Sequence, residues 1–361
     1  MANATMRADI ERQPAVLAEI LPKLRAAAQQ AVPKTPGGRI WAGGCGDSLF
    51  AAQAAAPYFA ATGLPYRAGS ALELGFQHDG PQEGDHAVLM SISGGTMRTV
   101  ECARRLQARG VRVIAVTCAP GSALNQAAAA SMQLDYEPMP RTTPHTTDYT
   151  VTLLALAALA EAFAGHEIPE LETLPARTRI ALPICFEGSR DTLLGHYDPD
   201  LRARYFFLGG LDAYGTAAYA AAKFHEAGGL PALAAESENF VHGMNFMLEQ
   251  TDLVVPIVDP GPAGFRAGEL ARELPALAET RAILGTTEDS PEVLDRPLVD
   301  LRGEVPLHFP ILSALAVQAL ALTVAELVCP DLEEPRAGFA DGERHAAVQS
   351  RLMKQGRTVF R

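Results

Sequence analysis

The chain has 361 residues, 48% of them apolar and 20% charged, which suits two ordinary domains with separate cores and excludes a disordered protein. Its formal net charge of −12 leaves no basic surplus to displace counterions, which excludes nucleic acid and anionic membrane surfaces as partners. The first fourteen residues carry Asp9, Glu11 and Arg12 and no apolar run, so a secretory signal is not expected.

In chain order, a short apolar strand is expected at residues 39–42. It runs through Gly43-Gly44-Cys45-Gly46-Asp47-Ser48 into a long alanine-rich helix. Residues 86–92 form an apolar strand that passes into Ser91-Ile92-Ser93-Gly94-Gly95-Thr96 and an amphipathic helix over 96–109. A β-branched strand at 111–117 and a long helix at 148–165 follow. Residues 167–200, rich in proline and charge, read as a junction. The next unit opens as the first did, with a strand at 205–208, glycines and an alanine-rich helix. Strands near 253–258 and 282–284 and helices around 268–273 and 311–329 complete it. Gln318, Thr323 and Glu326 interrupt the last helix, so it reads as buried in protein rather than in a membrane.

Residues 41–65 and 207–231 match without a gap at a constant offset of 166, from the glycine pair to the closing Gly-Leu-Pro. A strand running through glycines into a helix opens a parallel α/β sheet. Two tandem α/β domains are therefore expected, over 1–180 and 181–361. The five cysteines, Cys45, Cys102, Cys118, Cys185 and Cys329, are scattered and lack CxxC spacing. They imply a reducing cytoplasm, with no disulfide framework and no metal site.

The loop at 91–96 lies where a parallel sheet binds ligands, at the carboxyl end of a strand and the start of a helix. Ser91, Ser93 and Thr96 add hydroxyl donors, and Gly94 and Gly95 let the backbone approach closely. An anion such as phosphate suits this cup, though a plain Ser/Gly turn with a helix cap reads the same. Ser48, after the first strand, is placed to join these hydroxyls. Leu49 stands where a dinucleotide fingerprint needs its third glycine, and no GxxxxGK[ST] loop exists, so no nucleotide cofactor is expected. The second copy has Val258-Asp259-Pro260-Gly261-Pro262 in the corresponding place, with an acid where hydroxyls would be needed.

Cys45-Gly46-Asp47-Ser48, the 91–96 loop, Phe207-Leu208-Gly209-Gly210, residues 223–243 and the tail Thr358-Val359 together resemble the double-SIS (sugar isomerase) family. The likeness is in particular to the isomerase half of glucosamine-6-phosphate synthase and to fructosamine-6-phosphate deglycases. It implies an α/β fold of two tandem SIS domains, each an open parallel sheet flanked by helices. The synthase's glutamine-hydrolysing domain is not expected. The family carries Lys-x-x-Glu followed sixteen residues later by His-Gly, matching Lys223, Glu226, His242 and Gly243 here. The resemblance gives Glu226 the proton transfer between sugar C1 and C2, and gives His242, reaching in from the neighbouring subunit of a homodimer, assistance in ring opening. By its residues alone, Glu226 also reads as a helical ion-pair partner of Lys223.

A family lysine in the tail forms an imine with the open sugar. Aligning from Thr358-Val359 puts Gln355 there, with Lys354 beside it. The chain has only four lysines, Lys23, Lys34, Lys223 and Lys354, so Lys354 is the tail's one candidate. Thr143-Pro144-His145-Thr146 replaces the synthase's small-residue substrate loop. The expected substrate-binding residues are therefore Cys45, Gly46, Ser48, Ser91, Ile92, Ser93, Thr96 and Thr143. The expected activity is that of a cytoplasmic enzyme on an amino-substituted hexose 6-phosphate, as deaminase, deglycase or aldose–ketose isomerase. The alternative is a phosphosugar sensor without catalysis.

Overall fold

The computed structural model describes residues 4–35, 37–139, 144–194, 203–285, 297–328 and 341–354. Two helices, α1 (Ala4–Glu11) and α2 (Gln13–Ala31), lead into β1 (Ile40–Gly44). Then come α3 (Asp47–Ala54), α4 (Ala56–Ala61), β2 (Tyr66–Ser70), α5 (Ala71–Phe76), β3 (His86–Met90) and α6 (Met97–Ala108). The first sheet closes with β4 (Arg112–Thr117), α7 (Ala123–Gln126) and β5 (Ala130–Gln133), followed by α8 (Thr147–Ala164) and α9 (Leu174–Leu194). The second sheet starts with β6 (Tyr205–Gly209), α10 (Ala213–Gly228), β7 (Ala232–Glu236), α11 (Ser237–Val241), β8 (Leu253–Val258) and α12 (Gly264–Glu273). It ends with β9 (Glu279–Thr280), β10 (Ile283–Leu284) and β11 (Val299–Asp300), and α13 (Phe309–Val328) and α14 (Gly342–Lys354) follow.

Both sheets are wholly parallel, and the internal repeat is a repeat of topology. The first has the order β2-β1-β3-β4-β5 and the second β7-β6-β8-β10-β11, with β9 pairing the start of β8 in line with β10. Each sheet steps outward from its first strand in both directions, which leaves a crevice at the carboxyl ends of its first and third strands. Strands covered on both faces read as unbroken apolar runs, and β1, β3, β6 and β8 are buried along their whole length.

The chain forms two compact units. One comprises Val16–Pro138, Asp148–Ile168 and Phe339–Arg361 and holds the first sheet. The other comprises Met1–Ala15, Met139–Thr147 and Pro169–Gly338 and holds the second. The single boundary expected at residue 180 therefore gives way to exchanged segments. Part of the expected junction is in fact α9, which packs against α13. Leu174, Thr178, Leu182, Cys185, Ser189 and Leu193 are buried at helical spacing along it, and Pro183 costs the helix one N–H without ending it. The helix α13 is buried along most of its length between α9 and α10 in this unit. The long alanine-rich helix expected after the first strand is broken at Ala55 into α3 and α4, and the other expected elements shift by a few residues at their ends; β1 and β6 extend into their glycines, and α12 begins at Gly264.

Candidate functional site

In the first sheet the crevice falls between β1 and β3, and glycine makes it narrow. A Cβ at Gly44 would lie 2.6 Å from the Met90 carbonyl oxygen and 2.6 Å from Ser48 Cβ, so Gly44 brings the end of β3 against Ser48. Gly46 has φ 57° and turns the chain into α3. Gly94, at φ 59°, lies where a Cβ would overlap Ser122 Oγ at 2.0 Å, which seats the loop against the segment after β4. The Ile92 carbonyl accepts from Cys118 N and from Thr117 Oγ1, both at 3.0 Å, and locks the loop from that side.

Within this frame Ser91 is buried, with its hydroxyl 3.0 Å from that of Thr96. Ser93 Oγ accepts from Gly95 N at 3.3 Å. Thr96 caps α6 by position, yet its side chain makes no capping bond. Among the described residues no acceptor is bonded to the N–H groups of Ile92, Ser93 or Thr96. Cys45 is exposed, its Sγ 3.7 Å from Thr99 Oγ1 on the first turn of α6. Cys45, Gly46, Ser48, Ser91, Ile92, Ser93 and Thr96 thus lie on the two loops that follow the paired strands β1 and β3. Hydroxyls, free peptide N–H groups and the positive end of α6 together suit an oxyanion.

The unit with the second sheet holds the other candidates. Glu226 lies near the end of α10, which Gly229 closes in a left-handed conformation at φ 61°. One turn earlier, Lys223 is fully buried. Its Nζ donates to Glu226 Oε2 at 2.5 Å and to the His145 carbonyl at 3.3 Å, and lies 5.2 Å from the centre of the Tyr219 ring. The carboxylate is thus governed by a desolvated ammonium as well as by the helix end. From the sequence Lys223 reads as the first residue of the Lys-x-x-Glu pattern and as a helical ion-pair partner of Glu226, with no statement of burial. Its spacing of four from Tyr219 along an alanine-rich helix was the sign of an interior position.

The segment carrying His145 is pinned by buried polar groups. Asp9 Oδ2 accepts from Thr146 N at 2.8 Å, Thr146 Oγ1 at 2.7 Å and Thr147 N at 3.0 Å, and Oδ1 accepts from Thr147 Oγ1 and Arg12 Nε. Burial alone would push the Asp9 carboxyl up, but the hydrogen bonds from Thr147 and Thr146 outweigh it and hold it below the usual range. Gln318 Nε2 donates to the Thr146 carbonyl and to the Tyr219 hydroxyl. Asp9, Tyr219 and Gln318 carry no sequence motif, and only the fold connects them.

His242 follows α11 and its side chain is 73% exposed. Its Nε2 is 3.2 Å from Glu238 Oε1, and Glu238 is held by Arg266 Nε at 2.7 Å. No hydrogen bond or ion pair among the described residues joins His242 to Glu226. Thr143 and the side chain of Lys354 lie outside the described residues; Lys354 itself is the last residue of α14.

Comparison with known proteins locates this architecture. Residues 36–162 match the model of the SIS domain family. No curated protein matches the chain. Among solved structures, the C-terminal domain of glucosamine-fructose-6-phosphate aminotransferase from Francisella tularensis superposes with TM-score 0.74 at 18% identity, covering 90% of this chain and 96% of that one. Glucosamine-6-phosphate deaminase from Thermotoga maritima gives 0.71 at 19%, covering 89% and 94%. Tagatose-6-phosphate ketose/aldose isomerase from Escherichia coli gives 0.76 at 21%, covering 93% and 96%.

Proposed function

From a chain that carries a SIS domain at residues 36–162 and repeats that architecture around a second sheet, we propose an enzyme that moves a proton between C1 and C2 of an amino-substituted hexose 6-phosphate. The observation that carries the reading is the cup of hydroxyls and backbone N–H groups at the first switch point, which suits a phosphate ester. Ser48, Ser91, Ser93 and Thr96 hold the phosphate there. Glu226 takes the proton from one sugar carbon and returns it to the next. The buried ammonium of Lys223 steadies the ionised carboxylate and, through the His145 carbonyl, ties it to the 145–147 segment. His242, exposed and with no hydrogen bond or ion pair to Glu226 among the described residues, serves the neighbouring subunit of a cytoplasmic homodimer.

Release of ammonia or an amine, by attack of water on the imine, is the favoured outcome. The substrate's own nitrogen forms the imine or enamine, so turnover needs Glu226 and His242 rather than a lysine. The test is a panel of hexosamine and fructosamine 6-phosphates, followed for ammonia or amine release and for ketose formation. Turnover of one member, lost in Glu226→Gln and retained in Lys354→Ala, is expected. Tight binding of a phosphosugar with no conversion of any panel member would instead establish a sensor.

A further inference from the structure

Lys223 is fully buried, and an ammonium there needs an acceptor for each N–H that it turns inward. Besides Glu226, its Nζ meets the His145 carbonyl oxygen at 3.3 Å and the Tyr219 ring, centred 5.2 Å away. Tyr219 lies one turn earlier on α10, so the helix itself sets the ring. The carbonyl comes from the connection that leads into α8, and something else must hold it in place.

Two clamps do so. Asp9, on α1, accepts on Oδ2 from the N–H groups of Thr146 and Thr147 at 2.8 and 3.0 Å and from the Thr146 hydroxyl at 2.7 Å. Its Oδ1 accepts from Thr147 Oγ1 at 2.8 Å and Arg12 Nε at 2.9 Å. Gln318, on α13, donates from Nε2 to the Thr146 carbonyl at 3.3 Å and to the Tyr219 hydroxyl at 3.0 Å, so one amide ties the connection to the ring beside Lys223. Gln13, the first residue of α2, donates to Gln318 Oε1 at 2.6 Å and fixes which way that amide faces. Asp9, Gln13, Thr146, Thr147 and Gln318 are all buried. Apolar packing would cover this part of the unit without the desolvation cost of a carboxylate and two amides, so the network is suited to fixing a position rather than to adding stability.

We propose that Asp9, with Gln318 behind it, is a positioning residue for the catalytic carboxylate. Through Thr146 and Thr147 it holds the His145 carbonyl against Lys223, and Lys223 in turn holds Glu226 in one geometry. The proposal rests on Glu226 being the base of the reaction proposed above. Asp9 acts only through these intermediaries. The segment Met1–Ala15, which carries neither the Lys-x-x-Glu pattern nor a switch-point loop, thereby takes part in the chemistry of the unit it folds with.

The test compares the intact protein with Thr146→Val, which removes one hydroxyl from the clamp at nearly constant shape, and with Asp9→Asn, which turns an NH2 group toward the donors. Thermal scans confirm folding, and Thr146→Val carries the test if Asp9→Asn does not fold. The first measurement needs no substrate. The chain has only four lysines, so with Lys23, Lys34 and Lys354 replaced by arginine, 15N-lysine labelling reports on Lys223 alone. A buried, hydrogen-bonded ammonium exchanges its protons slowly enough to give an Nζ–H signal. That signal is expected in the parent, weakened in Thr146→Val and lost in Asp9→Asn. The second measurement uses the panel sugar that turns over. Its kcat is expected to fall about tenfold or more in both variants with KM held within about twofold, because the base is misplaced while the phosphate cup is untouched. A Lys223 signal absent from the parent, or unchanged in the folded variants, overturns the proposal, and so does an unchanged kcat or a loss confined to KM. A parent that turns over no panel sugar strikes the enzymatic reading alone; the Lys223 signal still decides whether Asp9 holds the ammonium.

Discussion

Ser93 and Thr96 offer an anion two hydroxyls that the surrounding fold uses little. Replacing both with alanine is expected to weaken binding of a hexose 6-phosphate by about 1–3 kcal/mol, the range for hydrogen bonds to charged groups. Calorimetry should show the unphosphorylated sugar binding both proteins equally poorly. Unchanged affinity for the phosphate ester would remove these residues from the site. Asp259 makes a different prediction, about stability. Burial raises its folded-state carboxyl from 3.8 to about 6, so the folded state binds the proton more tightly than the unfolded chain does. The native protein is therefore favoured at acid pH, and the contribution is lost as pH rises from about 4 through about 6. Asp259→Asn should then be more stable than the parent at neutral pH, by up to about 3 kcal/mol for a shift of this size. The advantage should vanish near pH 4 in urea titrations; a variant less stable at neutral pH would contradict it. The Lys-x-x-Glu and His-Gly spacing was legible in the sequence. Lys223 as a buried group was not, because burial at 0% exposure depends on what packs over α10.

Glycines mark the ends of the strands, and the elements they join tell apart two kinds of constraint. Gly46 and Gly94 both have positive φ, at 57° and 59°. A Cβ at Gly46 would meet open space, whereas one at Gly94 would overlap Ser122. Gly46 pairs its positive φ with ψ −129°, a conformation that essentially only glycine adopts, so Gly46→Ala should cost about 1–3 kcal/mol through the backbone alone. Gly94→Ala should cost more, and should also displace the loop and weaken the phosphate ester. Equal costs in thermal unfolding would show that the loop after β4 yields freely. At this scale the strand-glycine-helix units were legible because a parallel strand buried on both faces leaves an unbroken apolar run. The helix α9 was missed although its buried residues keep helical spacing, because Pro183 and the surrounding charges masked the period. The short strands β9 and β11 carry too few residues for any pattern, whereas β10 falls within the strand expected at 282–284.

At the scale of the whole molecule, the proposed homodimer makes the last prediction. Glu226→Gln and His242→Ala are each expected to be inactive. If His242 serves the neighbouring chain, mixed dimers restore one site with both residues intact and recover part of the activity. Proven heterodimers without activity would put both residues to work in the same chain.

The sequence by itself determined the fold class, the internal repeat and the two switch-point loops. These follow from local alternations of apolar strand, glycine and helix, which leave their mark within about a dozen residues. Only the tertiary structure decided which polar groups are buried and with whom. Lys223 meets a carbonyl 78 residues away, and Asp9 receives hydrogen bonds from residues 137 and 138 positions distant. A buried charge is defined by partners that the topology delivers, and spacing along the chain carries no record of them.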